Sequence, residues 1–148
     1  MSRSGYSEDG DNNFALIRWR GAVASAIRGY RGQAFLREMV AALDAMPVKE
    51  LIERDLVKDG AVCALGAVGM ARGIDMSGID VEDAEAIAKM FGIAEAMVRE
   101  IEYENDDGYI RANPLSSIEA RRWHHVRAWV AENVARSRLR EGRIEYEN

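Results

Sequence analysis

A run of small and apolar residues at positions 61–71, which reads Ala-Val-Cys-Ala-Leu-Gly-Ala-Val-Gly-Met-Ala, constrains the fold more than any other feature. A helix that is apolar on every side must be buried, and its glycines let neighbouring helices approach closely. Asp59 and Gly60 precede the run and Gly73 follows it, residue types expected at the two ends of a helix. The sequence therefore predicts a central core helix over residues 61–72.

Amphipathic segments on both sides of this helix predict an all-α fold of about six or seven helices. Apolar residues recur at helical spacing from Leu16 to Tyr30 and again from Leu36 to Met46, where Pro47 ends the second helix. Further helices are predicted at 48–56, at 81–91 with Asp80 as cap, after a break at Gly92 as far as about residue 104, and from a Ser116–Glu119 capping box to about residue 140. The last of these should bury Trp123, Val126, Val130 and Val134. No strand pair with turn chemistry is predicted, although the valine-containing stretch near residues 56–63 would also suit a strand.

One domain, residues 14–141, is expected between a flexible arm at 1–13 and a short tail at 142–148. A chain of 148 residues is long enough to bury a core without a disulfide or a metal. The single cysteine, Cys63, and the lack of any apolar run of about 20 residues favour a cytoplasmic protein without a membrane segment. No cofactor or metal is predicted, because the adjacent His124 and His125 would point about 100 degrees apart on a helix.

Charge is divided unevenly along the chain. Residues 76–110 contain ten acidic and two basic residues, a net charge of −8, whereas residues 14–54 and residues 111–148 each have a net charge of +3. The chain therefore has an acidic middle between two basic flanks. This division favours electrostatic contacts, either within the protein or with a charged partner.

The acidic middle contains the spacing of a helix-turn-helix. Ala88 is small enough for close helix packing and Gly92 suits a left-handed turn. The small core of such a hairpin would be formed by Ile87, Phe91, Ile93, Val98 and Ile101. The second helix lacks the side chains that read base edges, since its outward residues would be Ala94, Glu95, Ala96, Arg99, Glu100 and Glu102. Carboxylates there would repel phosphates, so nucleic acid is not expected to bind at this hairpin.

Two interpretations of the hairpin remain. It is either a structural element or an acidic face that docks on a basic protein surface. In the second case, the partner-binding residues are predicted to be Glu95, Glu100, Glu102, Glu104, Asp106 and Asp107.

Two alternative functions follow from other residues. A nucleic-acid-binding regulator would use the basic first helix and the end of the last helix, with Arg18, Arg20, Arg28 and Arg31 beside Trp19 and Tyr30. Equally, these arginines and Arg37 would pair with the acidic segment, within one chain or across a homodimer. A cysteine-dependent enzyme would use Cys63 as nucleophile with His124 or His125 as base, although the apolar neighbours of Cys63 favour a buried thiol and no catalytic residue is predicted.

Several segments carry a family resemblance: Gly32-Gln33-Ala34-Phe35-Leu36-Arg37-Glu38, Val62-Cys63-Ala64-Leu65-Gly66-Ala67, Phe91-Gly92-Ile93-Ala94, Arg122-Trp123 and Val126-Arg127-Ala128-Trp129-Val130. Together they resemble small helical proteins encoded by bacteriophages and prophages of proteobacteria, a family with no established activity. The resemblance spans most of residues 14–135. It implies a non-enzymatic accessory protein in a bacterial host that binds a host or phage protein, and inhibition of a host defence system is one form of that role.

Overall fold

The computed structural model describes the backbone of residues 13–108 and 116–146, and the side chains of residues 14–108 and 116–134. In this part of the chain there are six helices and one two-stranded sheet, in the order α1 (Asn13–Arg28), α2 (Tyr30–Ala45), β1 (Val57–Lys58), β2 (Ala61–Val62), α3 (Ala64–Arg72), α4 (Ala84–Phe91), α5 (Glu95–Asp106) and α6 (Ile118–Tyr146). The predicted all-α class is confirmed. The predicted flexible arm lies outside the described residues, apart from Asn13, where α1 begins.

Helix α3 is the predicted core helix. It buries Ala64, Leu65, Gly66, Ala67, Val68 and Gly69, and it packs against α2 and α5. Gly66 lies so close to the carbonyl group of Leu56 that a β-carbon has no room there. The helix begins three residues later than predicted, because Cys63 and not Asp59 or Gly60 is its amino-terminal cap.

Asp59 and Gly60 form a hairpin turn instead of a helix start, so the expectation of no strand pair is wrong. Their φ angles of 52° and 81° place both residues in the left-handed region, as a two-residue type I′ turn requires. The turn pairs β1 with β2 antiparallel, with Val57 opposite Val62 and Lys58 opposite Ala61.

The helix predicted at residues 48–56 is absent from the described chain, and these residues cross the surface of other elements as an irregular segment. Residues 47–56 are named the strap. The backbone N–H of Leu51 donates to the carbonyl of Glu119 at 3.0 Å, and that of Ile52 donates to the carbonyl of Val62 at 2.9 Å. Because its N–H groups bond to other parts of the chain, the strap does not form the bonds between residues four apart that define an α-helix.

Helices α2 and α6 make extensive contacts with each other. Trp123, Val126 and Val130 are buried as predicted, and Val134 packs against the core at its edge. Arg127 of α6 donates from Nε and Nη2 to the two carboxylate oxygens of Asp44 at 2.8 and 3.0 Å. This hydrogen bonding lowers the pKa of Asp44 and raises the pKa of Arg127.

The ends of α6 differ from the prediction. Ser117 and not Ser116 caps the helix, because its Oγ accepts the N–H of Ala120 at 3.1 Å. The helix was predicted to end near residue 140, yet it continues through Gly142 to Tyr146. Most of the predicted tail, residues 142–148, is therefore helical backbone.

Arg72, in the last turn of α3, joins three helices. Its guanidinium forms a two-pronged ion pair with Glu38 of α2 and donates a hydrogen bond to the carbonyl of Phe91 at 3.3 Å. The guanidinium carbon also lies 5.7 Å from the ring centre of Phe35 and 5.6 Å from that of Phe91. A planar guanidinium can make all of these contacts at once. Arg72 therefore fixes α4 against α2 and α3.

Candidate functional site

The helical hairpin formed by α4 and α5 has the geometry that its spacing predicts. Gly92 ends α4 with a φ of 73°, and its N–H donates to the carbonyl of Ala88 at 2.8 Å. The small core between the helices is buried at Ile87, Ala88, Phe91, Ile93, Val98 and Ile101. Helix α4 begins three residues later than predicted, because Asp83 and not Asp80 accepts the capping hydrogen bond, from the N–H of Ala86 at 3.1 Å.

Helix α5 is enclosed by the rest of the protein. It contacts α1, α3, α4 and α6. All twelve of its residues are described, and among them Glu95 alone is exposed. A recognition helix must lay its side chains in the major groove of DNA, and α5 has no free face on which to do so. The packing of α5 is therefore unlike that of a recognition helix, and the absence of nucleic acid from this hairpin stays a prediction.

The six acidic residues predicted to form a partner-binding face do not form one surface. Glu95 and Asp107 are exposed at opposite ends of α5, and Glu100 and Glu104 are half-buried. Glu102 is 0% exposed and Asp106 is 5% exposed, so the prediction that they face a partner is wrong. Glu102 lies one helical turn after Val98, on the side of α5 that faces the core. The prediction placed the acidic residues of α5 on its solvent-facing side because they are charged. In the structure, α5 packs against other helices on more sides than its apolar residues indicate.

Asn105, which is buried near the end of α5, joins α5 to the strap and to α3. Its Oδ1 accepts the N–H of Ala64 at 3.0 Å, and its Nδ2 donates to the carbonyl of Ile52 at 2.9 Å and to Oδ1 of Asp106 at 2.8 Å. The same Asp106 oxygen accepts the N–H of Arg54 at 3.2 Å. Asn105 and Asp106 therefore form hydrogen bonds with backbone groups that have no hydrogen-bond partner within a helix or a sheet.

Arg122 of α6 binds the strap as well. Its buried guanidinium donates from Nη1 to the carbonyl of Leu51 at 2.8 Å, and its Nη2 lies 3.6 Å from Oε2 of Glu53. The buried polar residues at this end of the protein therefore hold an irregular segment in place. Single-sequence reasoning missed this role, because nothing local indicates that the strap crosses α5 and α6.

The thiol and one of the two imidazoles predicted for a cysteine enzyme each form a contact within the fold. These residues are Cys63 and His125. Cys63 is buried, and its sulfur accepts the N–H of Gly66 at 3.4 Å as the cap of α3. The Nε2 atom of His125 lies 2.6 Å from Oε2 of Glu104, a contact that joins α6 to α5. His124 is exposed. Within the described residues, no group of three His, Cys, Asp or Glu side chains is placed to hold a metal ion.

Five arginines named for nucleic-acid binding or internal pairing are all on the surface: Arg18, Arg20, Arg28, Arg31 and Arg37. Within the described part of the chain, none of them forms an ion pair. The alternative in which they pair with the acidic segment of the same molecule is therefore wrong for the residues described. Tyr30, predicted on the buried stripe of the first helix, instead begins α2 and is 89% exposed.

Helix α1 also exposes large apolar side chains. Phe14 is 74% exposed and Ile17 is 66% exposed, on the side of the helix opposite to the buried Val23 and Ile27. The outward face of α1 is defined as Phe14, Ile17, Arg18, Gly21 and Ser25. Nothing lies within 4 Å of a β-carbon built on Gly21. The middle of this face is therefore open to the approach of another molecule.

Comparisons with protein-family models, with curated proteins and with solved structures find no match to this chain. Among the described helices, none is both long and apolar enough to cross a membrane. The geometry of the surface is therefore the basis for a functional assignment.

Proposed function

We propose that this protein is a non-enzymatic accessory protein that binds a host or phage protein through the outward face of α1. The supporting observation is that Phe14 and Ile17, both well exposed, lie on one side of a helix whose other side is packed on the core. Scattered surface apolar residues are ordinary, but two large ones within one turn, beside an open glycine, form a contiguous surface.

The composition of α1 supports a protein partner. Its sequence, Asn13–Arg28, contains three arginines and two aromatic residues, but no aspartate, glutamate or lysine. Protein interfaces are enriched in aromatic residues and arginine and depleted in lysine, aspartate and glutamate. A partner with an apolar groove and an acidic rim would match Phe14, Ile17 and Arg18.

This proposal keeps the predicted class of function and moves its surface. Of the acidic hairpin residues, only Glu95 and Asp107 are exposed among those named as partner-binding, and they lie at opposite ends of α5. Inhibition of a host defence system is the version of the function that the resemblance to phage proteins favours. It stays a proposal here, as does the phage origin itself.

Affinity capture from a bacterial host, with two kinds of variants, tests the proposal. Ile17→Glu places a charge where a partner should bury an apolar side chain. Burial of such a side chain contributes about 1.5–3 kcal/mol, so capture of the partner should weaken at least about tenfold. Val48→Glu is the matched control, because Val48 is 57% exposed but lies in the strap and not on α1.

Variants of the acidic residues that were predicted to bind the partner provide the second comparison of the experiment. Glu95→Lys combined with Asp107→Lys should leave capture unchanged if α1 is the binding surface. Both residues and Ile17 are exposed, so the helical circular dichroism of every variant should match that of the wild type. Loss of capture in the lysine variant together with full capture by Ile17→Glu would contradict the proposal.

A further inference from the structure

We propose that the corner between α1 and α2 is a binding site for single-stranded nucleic acid, a function beyond the protein partner assigned to α1. The corner is defined as Arg28, Tyr30, Arg31 and Arg37. Its occupant is inferred from three arginines without a carboxylate partner in the described chain, together with one almost fully exposed tyrosine.

The backbone of the corner is held by close packing and a buried hydrogen bond. Helix α1 ends at Arg28 and α2 begins at Tyr30, so the turn is a single residue, Gly29. Gly32 packs directly on the carbonyl of Ala26, and the buried Gln33 donates from Nε2 to the carbonyl of Ile27 at 2.7 Å. A ligand would therefore meet side chains displayed on a fixed frame, which reduces the entropy lost on binding.

No carboxylate of the described chain pairs with the arginines of the corner. The first turn of α2 contains no acidic residue, and its cap, Gly29, offers no side-chain hydrogen bond. Arg28 lies in the last turn of α1 and donates from Nε to the carbonyl of Ala24 at 3.2 Å, so part of its charge is offset by the carboxyl end of that helix. Arg31 lies instead in the first turn of α2, where the helix carries a partial positive charge of its own. Residues 28–37 include three arginines and no acidic residue, and these arginines form no ion pair within the described chain.

Tyr30 distinguishes a nucleic-acid strand from other anions. Tyr30 is 89% exposed and lies between Arg28 and Arg31 in the sequence. Ala34 and Arg37 follow on the same side of α2, one and two turns later, and both are exposed. Proteins that bind single strands stack bases on aromatic rings while basic side chains contact the phosphates. The small Ala34 leaves space for a base on Tyr30 while Arg31 and Arg37 reach the backbone.

A duplex would use only part of this surface. Its bases are stacked inside the double helix and cannot stack on Tyr30, so a duplex would contact only the arginines of the corner. The net charge of the protein, −5, opposes any polyanion at long range, so binding depends on the local arginines. The logarithm of the affinity should then fall with the logarithm of salt concentration with a slope of about −2, since each neutralised phosphate of a single strand contributes about −0.7.

The test uses purified full-length protein and fluorescence anisotropy of labelled oligothymidylate and oligouridylate of about 12 nucleotides, with a duplex of the same length as competitor. Tyr30→Ala should weaken binding about tenfold and Tyr30→Phe should preserve it, because the ring stacks without its hydroxyl. Arg31→Gln combined with Arg37→Gln should reduce the salt slope. Lys58→Gln, an exposed cation on the β1–β2 hairpin, is the charge control and should have little effect.

Three results would overturn the inference: no saturable binding of either single strand at low salt, equal competition by the duplex, or equal affinities of Tyr30→Ala and Tyr30→Phe. Displacement by polyglutamate as effective as by the oligonucleotide would also overturn it, since the corner would then be a general site for acidic peptides. Partner capture by Tyr30→Ala separates the two proposals, because it should be unchanged whether or not the oligonucleotide binds.

Discussion

Replacement of Asn105 tests the most specific structural claim, that buried polar groups at the end of α5 hold the strap in place. Asn105→Ala removes the hydrogen bonds to Ala64, Ile52 and Asp106. Each contributes about 1 kcal/mol net, and the buried N–H of Ala64 is left without its partner. The free energy of unfolding should therefore fall by about 2–4 kcal/mol, a large part of the stability of an ordinary domain.

Asn105→Asp is the more discriminating variant, because it keeps the shape and the acceptor for Ala64 but loses the donor. At neutral pH the new carboxylate would face the carbonyl of Ile52 and the carboxylate of Asp106, which raises its pKa in the folded state above the unfolded value of about 3.9. The stability deficit is then present above the folded pKa, and it shrinks as the pH falls and protonation restores a donor.

Urea denaturation followed by circular dichroism, at pH 7 and at about pH 4 with the wild type at each pH, measures both effects. The Asp variant should lie close to the Ala variant at pH 7 and recover part of the difference from the wild type at the lower pH. A deficit below about 0.5 kcal/mol for Asn105→Ala, or an Asn105→Asp deficit that is the same at both pH values, would refute the reasoning.

Three further predictions concern the packing of α2, α3 and α6. Asp44→Asn should cost up to about 1 kcal/mol at pH 7, because the partly exposed pair with Arg127 is lost. The pKa of Asp44 is lowered in the fold, so this difference should vanish in denaturation experiments as the pH falls through that pKa. Lys49→Met should lower the thermal midpoint by a few degrees, since Nζ bonds the carbonyls at the end of α2. Gly66→Ala should destabilise by more than about 1 kcal/mol in urea, because its methyl group meets the carbonyl of Leu56.

The helices with strong apolar periodicity were predictable from sequence. The spacing of Ile87, Ala88 and Gly92 was sufficient to predict the α4–α5 hairpin, because a left-handed glycine and a small residue are local requirements. The core helix was predictable from its composition, but its start was not. Asp59 and Gly60 suit both a helix start and a two-residue hairpin turn, and the pairing of Val57 with Val62 decided between them.

The strap and the burial of the acidic residues were not predictable in this way. Leu51 and Ile52 have helix-compatible neighbours, but their N–H groups bond to Glu119 and Val62, which are distant in sequence. Glu102 was assigned to the surface because carboxylates are usually exposed. Glu102 lies one helical turn after the apolar Val98, and this spacing indicates burial. The high negative charge of the segment led to the opposite prediction.

The exposed apolar face of α1 was only partly visible in the sequence. Leu16, Trp19, Val23 and Ile27 define the buried stripe, so Phe14 and Ile17 fall outside it. The periodicity alone does not show that no other element of the described chain covers these two side chains. Phe14 and Ile17 are exposed in the folded protein, and this exposure identifies the basic helix α1 as a candidate interface.

Photo-crosslinking tests the central claim, a protein partner on the outward face of α1, most directly. Benzoylphenylalanine would be placed at position 17 and, as a control, at position 57, since Ile17 and Val57 are both exposed apolar residues on different elements. After irradiation of the bacterial host, position 17 should give one discrete protein adduct that Phe14→Glu abolishes, and position 57 should give none. Adducts of equal yield from both positions, or none from position 17 while capture of the partner persists, would contradict the account.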